Sequence, residues 1–126
     1  MENKLLLVED NVIFGKNFSA ILQDRGYSVF WATSGSKAIA ELARDFFKVV
    51  FLDIRLADID GIEVLRAVKK NSPLTRIVVI SATQPERLRE EWKSEGTFTY
   101  LGKPFDIDQV LRILEDMGKG TEHGES

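Results

Sequence analysis

Two textures alternate along the chain. Five short apolar runs, residues 4–8, 29–32, 49–52, 77–80 and 98–101, are rich in Val, Ile, Leu and Phe and too short for helices, so they predict strands. Between them lie longer segments whose apolar positions recur at helical spacing. Phe14, Phe18, Ile21 and Leu22 make one inward face, which Gly26 ends. Ala38, Ile39, Leu42 and Ala43 make the next, with Ser34 or Ser36 as its cap. Ile62, Leu65 and Val68 repeat the pattern until Asn71-Ser72-Pro73 breaks it. Pro85 suits the first turn of a thinner fourth helix, carried by Leu88 and Trp92 and closed at Gly96. In the fifth, Ile107, Val110, Leu111 and Leu114 fall at i, i+3, i+4 and i+7, and Asp106 stands where a cap belongs.

Strict alternation of strand and helix implies an α/β fold, a parallel sheet covered by helices on both faces with right-handed crossovers. Five strands and five helices fit the three-layer, flavodoxin-like doubly wound order 2-1-3-4-5, with strand 1 beside strand 3. At 126 residues the chain is one domain. Its expected extent is residues 1–117, and the polar, Gly-rich residues 118–126 read as a frayed tail or truncated linker.

Composition narrows the function classes. A net charge of −3 argues against general affinity for nucleic acid or acidic membranes. The absence of cysteine excludes disulfides and thiolate metal sites and suits a cytoplasmic protein. No apolar run approaches the roughly 20 residues of a membrane span, and the first residues lack the apolar core of a signal peptide.

Candidate chemistry gathers where the strands stop. Glu9 and Asp10 follow strand 1, Asp53 ends strand 3, Ser81 follows strand 4 and Lys103 follows strand 5. In an open parallel sheet this carboxyl edge is where ligands bind. Neighbouring strands about 4.8 Å apart bring the acids and the hydroxyl into one pocket, and Lys103, about 10 Å from Asp53, can cross the gap with its long side chain. Acids this close favour a hard cation; Mg²⁺ is the natural candidate, with Mn²⁺ as an alternative. Singly, each residue has a blander reading: a solvated loop acid, a surface lysine, a turn serine. Their joint order and spacing favour the site. His123, the only histidine, falls in the polar tail, and Ser34-Gly35-Ser36 has neither phosphate-loop spacing.

On these residues the chain resembles the response-regulator receiver domain of two-component signalling, the chemotaxis-regulator type, over residues 4 to about 116. The resemblance rests on VED (8–10), FLDIRLADIDG (51–61), SA (81–82) and KPF (103–105) in order on the expected strands. It implies that Asp53 accepts a phosphoryl group from the phosphohistidine of a sensor histidine kinase or phosphotransfer protein. Glu9, Asp10, Asp53 and the Arg55 backbone carbonyl would hold Mg²⁺, and Ser81 and Lys103 would contact the phosphoryl group. Tyr100 matches the family's switch aromatic, which together with Ser81 would remodel the face of helix 4, strand 5 and helix 5 toward an output domain or a phosphorylation-dependent homodimer. Lys103-Pro104 would be a cis peptide. Arg55 and Thr83, two positions past Asp53 and Ser81, would tune dephosphorylation.

Departures from the family pattern carry their own expectations. Leu56-Ala57-Asp58-Ile59 replaces Met-Pro-Gly-Met, which predicts a less stiff loop, and GTFTYL (96–101) replaces GADDYL, which leaves Phe98 as an exposed apolar spot. Two rival functions remain. A haloacid-dehalogenase-type phosphatase needs an acid two residues past its nucleophile, where this chain has Arg55. A phosphorylation-independent interaction module would have no use for all five site residues. A signalling switch without external substrate is the expected function.

Overall fold

The computed structural model describes residues 4–95 and 98–123. Along them run β1 (Lys4–Val8), α1 (Val12–Asp24), β2 (Ser28–Ala32), α2 (Gly35–Leu42), β3 (Val49–Asp53), α3 (Gly61–Asn71), β4 (Arg76–Ser81), α4 (Glu90–Glu95), β5 (Thr99–Gly102) and α5 (Ile107–His123). The strands pair in parallel in the order β2-β1-β3-β4-β5. This is the expected doubly wound sheet.

Both faces of the sheet are covered, which is why its strands read as continuous apolar runs rather than alternating ones. Every residue of β3 is buried. Leu6, Val8, Val50, Leu52 and Val79 pack on one side against Ala38 and Leu42 of α2 and Ile62, Leu65 and Val68 of α3. Their neighbours in sequence, Leu5, Leu7, Val49, Phe51 and Val78, pack on the other against Phe18 and Leu22 of α1 and Val110 and Leu114 of α5. The period of two along each strand thus feeds two cores at once.

Helix ends follow local chemistry. Ser34, not Ser36, caps α2: its Oγ accepts the Lys37 N–H at 3.1 Å. Asp106 and Gln109 cap α5 reciprocally, each side chain accepting the other's backbone N–H at 3.0 Å. Gly26, at φ 95°, turns the chain out of α1 through a conformation that costs other residues about 1–2 kcal/mol.

Four expectations are revised. Ile21 is 40% exposed and Ala43 is exposed as well, because the buried stripes are centred on Phe18–Leu22 and Ala38–Leu42 and do not reach as far round. Pro85 begins a 3-10 turn over Pro85–Arg87 rather than the fourth helix, because Leu88 becomes extended (φ −67°, ψ 149°) to bury its side chain. Phe98 is not a free apolar spot; it packs edge-on against Trp92, ring centroids 6.1 Å apart, and Trp92 is 1% exposed. Finally, α5 continues to His123, so the backbone of residues 118–123 extends a helix instead of fraying. Propagating a nucleated helix costs far less than starting one. Gly96, Thr97 and residues 124–126 lie outside the described residues.

Candidate functional site

Sheet register brings the site together. Val8 pairs with Leu52, Asp53 with Ile80 and Ser81 with Gly102, so Glu9, Asp53, Ser81 and Lys103 emerge at neighbouring points of one edge. Asp53 closes the central strand and is 5% exposed. Its Oδ1 accepts the Arg55 N–H at 2.8 Å, and its Oδ2 accepts from Lys103 Nζ at 2.8 Å. The lysine does span the intervening strand. Its ammonium also lies 3.7 Å from Glu9 Oε1 and 4.6 Å from the centre of the Phe14 ring, whose face attracts a cation.

Glu9 is the most deeply buried acid of the group, at 1% exposure. Its Oε2 accepts the Asn11 N–H at 3.0 Å, while its Oε1 has no hydrogen-bond donor. Burial, and then the adjacent Asp53 carboxylate toward which a protonated Glu9 can donate, push its pKa up from 4.5 to about 7; the Asn11 N–H and the Lys103 charge act against this. Asp10 is half-buried and turned elsewhere: its Oδ2 accepts the Ala57 N–H at 2.7 Å, tying the turn after β1 to the loop after β3.

Ser81 and Tyr100 are joined through Thr83. Ser81 Oγ accepts the Thr83 N–H at 2.8 Å, and the Tyr100 hydroxyl donates to the Thr83 carbonyl. Thr83 therefore enters the site through its backbone. Lys103 N–H donates to the Ser81 carbonyl at 2.7 Å, and the Lys103-Pro104 peptide is cis, as expected. The Arg55 side chain is exposed and lines a cavity of about 540 Å³ with Thr83, Arg87, Arg89 and Trp92.

Among the described residues, no three acidic or imidazole side chains already stand as a metal cage. Asp10 is engaged by Ala57, and the Lys103 ammonium lies against both Glu9 and Asp53. The donor set still fits Mg²⁺, which needs only one or two carboxylates and keeps several waters. The buried, donorless Oε1 of Glu9 is the observation that favours a hard cation here.

Sequence reasoning missed several partners. Phe14 was assigned only to the core. Residues 56–59 predict a looser loop, yet the Asp58 carboxylate accepts Gly35 N–H at 2.9 Å and Ser36 N–H at 3.0 Å, binding that loop to the start of α2. Trp31, whose indole N–H donates to the Glu9 carbonyl at 2.8 Å, was assigned no role. A glycine inside α1, Gly15, was the available signal of a close approach there.

The model of the response regulator receiver domain matches residues 5–115. The chain belongs to that family. This receiver is 32% identical over 119 residues to the probable transcriptional regulator ycf29 of Pyropia yezoensis, covering 93% of its own length and 54% of that regulator's. It spans about half or less of the curated relatives it matches. Among solved structures, the chemotaxis protein CheY4 of Vibrio cholerae shares 31% identity at a TM-score of 0.82, covering 93% of the receiver and 99% of CheY4. The receiver domain of sensor histidine kinase PA1611 from Pseudomonas aeruginosa, solved with a magnesium ion coordinated in its active site cleft, shares 29% identity at a TM-score of 0.84, over 94% of the receiver and 99% of that chain. The receiver is thus a module of two-component response regulators, a signalling family rather than a typical metabolic enzyme. No described helix is long and apolar enough to cross a membrane.

Proposed function

We propose that Asp53 is the phosphoacceptor of a cytoplasmic phosphorylation switch spanning residues 1–117. The observation that carries this reading is the near-buried Asp53 carboxylate, held between the Lys103 ammonium and the Arg55 N–H beside the donorless Glu9 oxygen. A carboxylate oxygen of Asp53 attacks phosphorus as the P–N bond of a donor phosphohistidine breaks, and the bonding pair leaves with the imidazole, which takes up a proton. Such a transition state is loose, so catalysis consists of positioning and charge neutralisation. Lys103 neutralises one side. Glu9, Asp10 and Asp53, with the Arg55 carbonyl, would hold a divalent cation, Mg²⁺ or Mn²⁺, which when bound supplies the remaining positive charge.

Ser81 and Tyr100 carry the response. A phosphoryl group on Asp53 competes for the Ser81 hydroxyl, now engaged by Thr83, and the same Thr83 carbonyl holds Tyr100. Drawing Ser81 in therefore disturbs the Tyr100 contact and the α4–β5–α5 face, which is the surface offered to an output domain or a second copy. The donor is a sensor histidine kinase or phosphotransfer protein, and the exposed Val12 and Ile13 beside the cleft suit its docking. Turnover of an external phosphomonoester is not expected, because the position two past Asp53 is an exposed arginine.

Mass spectrometry of protein treated with acetyl phosphate and Mg²⁺ tests the reading. The expected result is a gain of one phosphoryl group, lost in Asp53→Asn and in excess chelator. Equal labelling of Asp53→Asn, or labelling that ignores the chelator, overturns it.

A further inference from the structure

The acid pair at the end of β1 has a support on the neighbouring edge strand that neither the fold nor the proposed chemistry requires. Trp31 is the penultimate residue of β2, paired in register with Leu7. Its indole lies over the start of α1, where Gly15 is buried. A Cβ added at Gly15 would come within 2.4 Å of the Trp31 Cε2 and Cζ2 atoms and 2.6 Å of its Nε1. Only glycine leaves that notch. A glycine inside a helix costs roughly 1 kcal/mol relative to alanine, so the sequence retains a local penalty that this contact explains.

From the notch the indole Nε1–H reaches the Glu9 carbonyl at 2.8 Å. The Glu9 N–H is meanwhile held by the Ala32 carbonyl at 3.1 Å, one residue past Trp31. Both backbone groups of Glu9 are thus fixed by the end of β2. Its side chain is fixed at Oε2 by the Asn11 N–H, and Asn11 in turn caps α1 through the Phe14 N–H at 2.9 Å. The donorless Oε1 faces the site, 3.7 Å from the Lys103 ammonium.

We propose that Trp31, seated in the notch left by Gly15, is a positioning residue for the cation site: it sets the turn that aims the Glu9 carboxylate. The inference rests on the proposed cation site and adds a residue to it from outside the acid cluster. Trp31 touches neither phosphoryl group nor cation; it acts through the backbone of Glu9. Hydrogen bonds one step removed from a ligand typically matter for metal affinity because they hold the ligand's orientation.

Calorimetric titration of Mg²⁺ alone into the unphosphorylated protein tests this, with urea unfolding recorded in parallel. Trp31→Phe keeps an aromatic ring and removes the N–H, and it should weaken Mg²⁺ binding about three- to tenfold. Gly15→Ala should weaken it similarly by displacing the indole, although alanine favours the helix. The double variant should be no worse than the weaker single one, because both act through one contact. The indole ¹H–¹⁵N resonance absent from Trp31→Phe should shift on Mg²⁺ addition to the wild type. Folded variants that bind Mg²⁺ as tightly as the wild type overturn the role of Trp31 while leaving the cation site intact. A wild type that binds no Mg²⁺ overturns the cation site and the inference with it.

Discussion

Replacing Glu9 by glutamine separates the burial of this side chain from its charge. In the folded chain the Glu9 carboxyl titrates at about 7 against an ordinary 4.5, chiefly because it is buried. Below pH 4.5 both folded and unfolded chains hold the proton, and the stabilisation linked to it is fully present. As pH rises from 4.5 through 7 the unfolded chain releases the proton first, so stability falls, and above 7 the fold carries an ionised, poorly compensated carboxylate. At 1.36 kcal/mol per pH unit the loss over this window is about 3 kcal/mol. Glutamine cannot ionise, so Glu9→Gln removes that slope, while groups remote from residue 9 titrate alike in both proteins. Urea unfolding in the presence of a chelator at pH 5, 6, 7 and 8 is the assay. The variant should gain on the wild type from pH 5 to 7 and little more by pH 8, with midpoints diverging by about 1 to 2 M at typical urea sensitivities. Parallel pH curves for the two proteins would refute the reasoning, since they would mean that Glu9 is not the buried acid that titrates.

Lys103→Ala should lower stability by about 1–2 kcal/mol, the usual cost of stripping a partner from a buried carboxylate discounted for an ammonium that is partly exposed, and should abolish most labelling by acetyl phosphate. Asp58→Ala should lower the unfolding midpoint at pH 7, because it removes the acceptor for the first N–H groups of α2. Those contacts hold the Asp58 pKa down at about 2, so that advantage of the wild type should be complete above pH 4 and fade as pH falls through 2. Arg55→Ala should shorten the lifetime of the phosphorylated protein followed by mass; an unchanged or longer lifetime would show that the Arg55 side chain does not shield Asp53.

How far the sequence reaches depends on how local the cause is. Strand and helix identity come from periodicity within a few residues, and β1 matches its expected bounds while the other strands shift by a residue at one or both ends. The gathering of the candidate residues at one edge was legible for a related reason. These residues stand at strand ends, and a parallel sheet stacks strand ends whatever the side chains do. What escaped was decided by contacts between distant segments. Asp58 meets Gly35 from 23 positions away, Asp10 meets Ala57 from 47 and Trp31 meets Glu9 from 22. Nothing local to Asp58 distinguishes a turn residue from a helix anchor, and the loop expected to be slack is held at Ala57 and Asp58 by two carboxylate contacts. The truncated α4 has the same origin: Leu88 leaves helical geometry to reach a core built by α3 and β4.

Charge explains why this arrangement can wait for its signal. Glu9 and Asp53 share the Lys103 ammonium and Asp10 follows Glu9 in the chain, so with Glu9 ionised two of the three negative charges lack a counter-ion. A phosphoryl group would bring about −1.5 to −2 more. At an effective dielectric near 20, each pair of like unit charges about 4 Å apart costs about 4 kcal/mol, more than Lys103 alone can offset. Two features limit this repulsion: Asp10 is diverted to the Ala57 N–H, and burial raises the Glu9 pKa to about 7. In the proposed reaction both would be reversed, with Asp10 leaving the Ala57 N–H and Glu9 ionising before Asp53 accepts phosphorus. A divalent cation bound as proposed would favour both changes, so that cation binding and readiness for phosphoryl transfer would form a single linked equilibrium rather than two independent steps.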